Sequence, residues 1–261
     1  MSSSDNAVLV DKRDDHVAIV TLNRPEARNA INAALTTEFE AAVRDVEADA
    51  DVWVVVLTGA GQIAFSSGAD LKEVTDGNLM KIIGGPYGLA GFVHAPRSKP
   101  WIAAVEGMAL AGGCELALAC DLIVASEGGF FGLPEVTRGL IASAGGVYRL
   151  PRAIPRAIAI ECILTANRLS AERAYEFGMV NRLVPKGQAL TVAIALASQI
   201  ACNAPIAVRE SLAIARAALD LDDASLRKLS DEAQERVIST EDFADGPRAF
   251  VEKRSPIWKG R

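Results

Sequence analysis

Histidine is nearly absent from this chain: there are two, His16 and His94, each far in sequence from any other candidate ligand. A Ser-His-Asp triad, a His-Glu-x-x-His zinc site and a histidine-rich metal site therefore lack support, and acid–base chemistry falls to carboxylates. Cysteine is sparse as well. Cys114, Cys120, Cys162 and Cys202 form no Cys-x-x-Cys pair and stand among apolar residues, which reads as reduced core thiols rather than disulfides or zinc ligands. No run approaches ~18 uninterrupted apolar residues, so no membrane span is expected. Residues 1–15 are polar and partly acidic and lack the charged-then-apolar layout of a secretion signal, which makes a cytoplasmic location the expectation. Excess positive charge is missing too. With 27 Lys+Arg against 33 Asp+Glu the net charge is −6, which speaks against nucleic acid as a partner. Basic residues crowd only the C-terminal end, at Arg248, Lys253, Arg254, Lys259 and Arg261; alone, that cluster reads as a solvated helix end.

What is present is ample core material. Of 261 residues, 50% are hydrophobic and 23% charged, an ordinary globular balance. Runs rich in Val, Ile and Leu at 16–22, 52–58, 101–105, 122–125 and 180–184, bounded by Gly, Pro, Asn or Asp, read as strands. Residues 32–46 place Leu35, Phe39, Ala42, Val43 and Val46 at helical spacing. A weaker helical pattern covers 79–92, interrupted by Gly84, Gly85 and Pro86. This alternation predicts an α/β fold with buried strands. After Pro185 the pattern changes: 190–202, 205–219, 226–239 and 241–253 all read as helices. The expected organisation is an α/β core over 1–189 that holds the active site, followed by a helical region over 190–261.

Three segments hold candidate chemistry. Gly59-Ala60-Gly61 follows a strand and nearly matches a dinucleotide-binding fingerprint, but more loop follows where a helix should open, so it reads as a turn. In 65–72, Gly68 permits unusual backbone angles and Asp70 can cap a following turn, leaving amides near Ala69 free to donate; alone, the segment reads as a capped Ser-Gly-Asp loop. In 105–121 a strand ends at Val105, and Gly112 and Gly113 open an apolar helix over 114–119. Its first amides lack internal partners, and glycine lets a ligand oxygen come close. Glu115 stands in that helix's first turn. A carboxylate on a helix that is apolar all round is costly unless paired or functional, so the functional reading leads. Glu135 follows Pro134 in another apolar stretch; taken alone it is a first-turn glutamate after a proline at the first helical position. Gly145-Gly146 then turns into a further helix, a place to contact a ligand or to pack tightly.

Together and in this order these segments resemble the crotonase (enoyl-CoA hydratase/isomerase) superfamily, over nearly the whole chain from about His16. The matching strings are Arg28-Asn29-Ala30-Ile31-Asn32, 65–72, 107–121, 131–135 with Gly145-Gly146, and 250–261. The resemblance implies a spiral of ββα units with a C-terminal helical trimerisation region, assembled as a homotrimer or as a hexamer of two trimers. It implies an acyl-CoA substrate and no metal or redox cofactor. The family's oxyanion hole falls on the amides of Ala69 and Gly112, and its two catalytic glutamates on Glu115 and Glu135. Arg28 and Ala30 resemble the CoA-binding loop; Ala69, Asp70, Leu71 and Lys72 would line the thioester and pantetheine, and Lys253 would lie near CoA phosphates. Both glutamates are retained, which points to hydration of a 2-enoyl-CoA. Leu133 stands where many hydratases have glutamine, and 141–146 departs from the usual stretch. Carnitinyl-CoA dehydratases share much of 133–151, so dehydration of a polar acyl-CoA is the alternative, with double-bond isomerisation beside it.

Overall fold

The apolar runs become the middle of two sheets in the computed structural model, which describes residues 6–261. In chain order the first half comprises β1 (Val8–Lys12), β2 (Val17–Leu22), α1 (Ala33–Ala48), β3 (Val54–Gly59), β4 (Ala64–Ser66), α2 (Leu71–Thr75) and α3 (Leu79–Ile83). Then come β5 (Trp101–Val105), β6 (Met108–Leu110), α4 (Gly112–Ala119), β7 (Leu122–Ser126) and β8 (Phe130–Gly132). They are followed by α5 (Gly146–Ala153), α6 (Arg156–Thr165), β9 (Leu169–Ser170), α7 (Ala171–Glu176) and β10 (Arg182–Val184). Four helices end the chain: α8 (Ala189–Ala201), α9 (Pro205–Ala217), α10 (Asp223–Ile238) and α11 (Glu241–Glu252).

The larger sheet has the order β1-β2-β3-β5-β7-β10, and the smaller β4-β6-β8-β9. All pairings are parallel except β1 with β2 and β8 with β9. A strand of the large sheet is followed by a strand of the small one and then by helix: β3-β4-α2, β5-β6-α4, β7-β8-α5. This repeated step is the expected ββα spiral.

The central strands are buried on both faces, and alternation divides their side chains between two cores. Val55 and Leu57 face one, where α1 lays down Leu35, Phe39, Val43 and Val46. Val54 and Val56 face the other, against α8. That helix presents Ala189, Ala193, Ala197 and Ala201, one every four residues, so its backbone can lie close on the sheet. Helix ends are fixed by side chains: Asn32 accepts from the Leu35 N–H and Thr240 from the Phe243 N–H. Pro205 occupies the first turn of α9.

Several expectations shift. His16 leaves its strand, with φ 64° and its ring stacked on Trp53 at 3.7 Å. The 79–92 pattern breaks into α3 and a 3-10 turn at Leu89–Gly91, because Gly88, Ala90 and Gly91 take φ of 67°, 56° and 64°, which no right-handed helix admits. The last sheet strand starts at Arg182 rather than residue 180. Cys202 is exposed rather than set in the core, and all four thiols are free. Among the described residues no single helix is long and apolar enough to cross a membrane.

Candidate active site

Two backbone amides come near each other just past a pair of strands. Ser66 of β4 stands opposite Ala109 of β6 in a parallel ladder; three residues further along each chain lie Ala69 and Gly112. The backbone around Ala69 is extended beside Ile31: the Gly68 carbonyl accepts from the Ile31 N–H and the Asp70 N–H donates to the Ile31 carbonyl, both at 2.8 Å. In an extended chain alternate groups face opposite ways, so the Ala69 N–H turns away from Ile31. The segment lies close to Gly112: a Cβ built on Gly68 would lie 2.8 Å from the Gly112 nitrogen. Gly112 opens α4, where an amide has no intrahelical partner. Among the described residues neither amide donates to another group of the chain.

Ala111, just before Gly112, has φ 50° and ψ −127°. A β-carbon in that region costs ~1–3 kcal/mol, and the backbone so held aims the next amide. Gly113 has no room for a side chain, since a Cβ there would lie 2.2 Å from the Ser66 carbonyl oxygen.

Glu115 is 4% exposed. Its Oε1 accepts from the Gly146 N–H at 2.9 Å, so the Gly145-Gly146 turn holds the carboxylate in place. Burial pushes this carboxyl up to about 7; the Gly146 N–H opposes the rise, the Glu135 charge adds to it, and the Ala144 backbone and the Arg149 charge pull it back. Glu135 begins a 3-10 turn, with Pro134 as its cap rather than its first residue. Burial raises its carboxyl too, and its Oε2 is buried without a partner. Other buried acids differ. Glu106 accepts from the Gly187 and Ala189 amides at the start of α8, and Asp242 from the Lys259 and Gly260 amides. Those carboxylates fasten the chain, whereas Glu135 keeps an acceptor in reserve. Burial also pushes the Cys114 thiol far up, which leaves it un-ionised and poor as a nucleophile.

Two neighbouring unpartnered amides and two desolvated carboxylates are the parts that enolate chemistry needs. The sequence profile described as enoyl-CoA hydratase/isomerase matches residues 12–261. This chain belongs to that family. The enoyl-CoA hydratase of Mycobacterium tuberculosis H37Rv superimposes with a TM-score of 0.93 at 44% identity, covering 98% of this chain and 100% of its own. The carnitinyl-CoA hydratase of Mycobacterium avium gives a TM-score of 0.77 at 44% identity, covering 98% and 99%. The carnitinyl-CoA dehydratase of Salmonella typhi is 39% identical over 254 residues, 95% of this chain and 97% of its own length. The family is one of crotonase-type enzymes acting on acyl-CoA.

The structure brings some predicted residues together and leaves others apart. Ala30 is buried beside Ile31, which meets both Ala69 and Gly112. Asp70 caps α2 through the Lys72 N–H and pairs with Arg24 at 3.1 Å. Leu71, Lys72 and Arg28 are exposed. Leu133 is buried against Gly146 and Ala142, next to the turn that holds Glu115. The basic C-terminal cluster is mostly spoken for: Arg248 and Arg254 pair with Asp245, and Lys259 and Arg261 with Glu241. Lys253 ends α11 in a left-handed conformation with no acidic partner among the described residues, and no described contact joins it to the other site residues. Asn29, within the expected CoA loop, is buried and its side chain donates to the Ala60 and Ala64 carbonyls, a structural brace rather than a ligand contact. A groove of about 830 Å³ opens elsewhere, between α1 and residues 86–98, and holds neither glutamate.

Proposed function

We propose that the chain is an enoyl-CoA hydratase that adds water reversibly to a 2-enoyl-CoA to give a 3-hydroxyacyl-CoA. The observation that supports this reading is the pair of desolvated carboxylates, Glu115 and Glu135, beside the unpartnered Ala69 and Gly112 amides. The thioester oxygen binds between the two amides, which stabilise the enolate formed when water attacks the β-carbon; such a donor contributes ~3–4 kcal/mol. Glu115, poised near neutrality, takes the proton from water. Glu135 delivers a proton to the α-carbon. The reaction needs one of them protonated and the other ionised. Arg28, Ala30, Asp70, Leu71 and Lys72 would contact the CoA and pantetheine, and Leu133 the acyl group. The reading requires no metal or cofactor, because all four reacting groups belong to the chain.

In this reading residues 1–189 hold the site, and 190–261 bury apolar surface between subunits and bring Lys253 to the CoA phosphates of a neighbour. Phe250 and Val251 on α11 are 85% and 79% exposed, more than a lone helix leaves to water without a partner. A trimer-based assembly covers them.

A second reading is dehydration of a 3-hydroxyacyl-CoA with a polar tail. The 39% identity to a carnitinyl-CoA dehydratase and the leucine at 133 favour it. The test is turnover of a panel of enoyl- and 3-hydroxyacyl-CoAs, followed through the conjugated-enoyl absorbance. Crotonyl-CoA turning over fastest supports the hydratase, a polar-tailed substrate preferred by orders of magnitude supports the dehydratase, and no turnover of any member sinks both.

A further inference from the structure

Arg149 is half-buried in α5 and pairs with no carboxylate among the described residues. Its guanidinium instead donates to two carbonyls from distant parts of the chain. Nη1 bonds the Ala144 oxygen at 3.0 Å and Nη2 the Val93 oxygen at 2.7 Å. Ala144 lies in the turn whose Gly146 N–H holds Glu115. Val93 ends the strained segment whose Leu89 packs on Gly112, where a Cβ would lie 2.7 Å from Leu89 Cδ2. One side chain thus joins the turn that orients the carboxylate to the segment that abuts an oxyanion-hole amide. The turn is shaped around it: Gly145 has φ 121°, and a Cβ there would lie 2.2 Å from Arg149 Nη1. Only glycine lets the guanidinium lie against the turn.

We infer that Arg149 is the positioning residue for Glu115, a clamp that keeps the Gly146 amide on the carboxylate and the carboxylate aimed at the substrate. The role of Glu115 as base rests on the hydratase reading; the clamp itself does not. The fork geometry matters, because a guanidinium can serve two carbonyls at fixed angles whereas a lysine ammonium acts as one point charge. The charged groups that face Glu115 are Glu135, from the 3-10 turn after β8, and Arg149, from α5; the Cys114 thiol stands beside it in α4. Of these only Arg149 favours the ionised carboxylate. Its loss therefore moves the protonation of Glu115 to higher pH.

The experiment uses the full chain with Arg149→Met and Arg149→Lys. Hydrogen–deuterium exchange, read by mass spectrometry on peptides over 141–148 without substrate, should quicken in both variants while the large sheet keeps its protection. In Arg149→Met kcat should fall ~10- to 100-fold, the scale for a misaimed catalytic group, while KM stays within about threefold, as expected when ground-state binding is retained. The acidic limb of its kcat–pH profile should move to higher pH. Arg149→Lys, which keeps the charge but not the fork, should keep the acidic limb near its original position and still lose kcat. Unchanged exchange over 141–148 overturns the clamp, as does a fall in kcat with the acidic limb unmoved in Arg149→Met. Should the unaltered protein hydrate no enoyl-CoA, the hydratase reading fails, and the exchange result alone still decides the clamp. Should Arg149→Met fail to fold, Arg149→Lys supplies the same exchange reading.

Discussion

Glu115→Gln should make the protein more stable at pH 8 while removing its activity. The carboxyl is buried, and its proton affinity is raised from the ordinary 4.5 to about 7. Between those two values the folded chain keeps a proton that the unfolded chain has released. Stability therefore falls as pH rises from about 4.5 through about 7, and levels off above it. The loss is about 2.5 pH units at 1.36 kcal/mol each, or about 3 kcal/mol. Glutamine has the same shape and no charge to desolvate, and its side-chain oxygen can still accept from the Gly146 N–H. The difference in unfolding free energy between variant and unaltered protein should therefore rise by about 3 kcal/mol between pH 4.5 and pH 8. Urea unfolding followed by tryptophan fluorescence measures it, at one fixed protein concentration because assembly contributes to apparent stability. Hydration by the same variant should fall ~10²-fold or more, the scale for losing a positioned base. A pH-independent stability difference would refute the desolvation argument. Near-normal hydration would refute the assignment of the base.

The other expectations are briefer. Glu135→Gln should reduce hydration by ~10²-fold or more, and the double variant by far less than the product of the two single effects, because the residues act as a unit; a silent Glu135→Gln would favour an isomerase. Ala111→Gly should relieve a backbone conformation that alanine resists, so the melting temperature should hold or rise; a fall of several degrees would show that no strain is stored there. Phe250→Asp should shift the assembly toward monomer in light scattering at micromolar concentration, since the exposed ring can no longer enter an apolar interface; an unchanged mass would remove α11 from the interface.

Five of the six large-sheet strands and the terminal helices were plain in the sequence; β1, in a stretch that read only as polar, and the small sheet were not. β3 is six buried residues, Val54–Gly59, a run that reads as a strand on sight. β4, β6 and β8 are three residues each, too short to show a period of two. Their positions follow from the spiral, not from local propensity. Glu115 was legible because a lone acid in an apolar helix conflicts with its surroundings. Glu135 was legible only beside Glu115, since a glutamate after proline is ordinary. Gly145-Gly146 stood out as a turn, but nothing local named its partner, because Glu115 lies thirty-one residues earlier in the chain. Arg149 gave no signal: an arginine in a helix after two glycines is unremarkable until its two carbonyl partners are seen. Four of the five basic residues near the C-terminus pair with carboxylates within the chain, which charge counting cannot see.

Ser66 stands opposite Ala109, and Ala69 and Gly112 lie three residues on, just past the ends of their strands, and this sets a length. Neighbouring strands lie ~4.8 Å apart, and two amides so spaced can both reach one oxygen at ~2.9 Å. In the proposed reaction the width of the anion cradle is therefore set where the small sheet ends. Residues around Leu133 lie on a later turn of the spiral and can change without widening that gap. A directed search for altered acyl preference should vary positions around Leu133 and leave residues 64–69 and 108–113, Glu135, Gly145, Gly146 and Arg149 untouched.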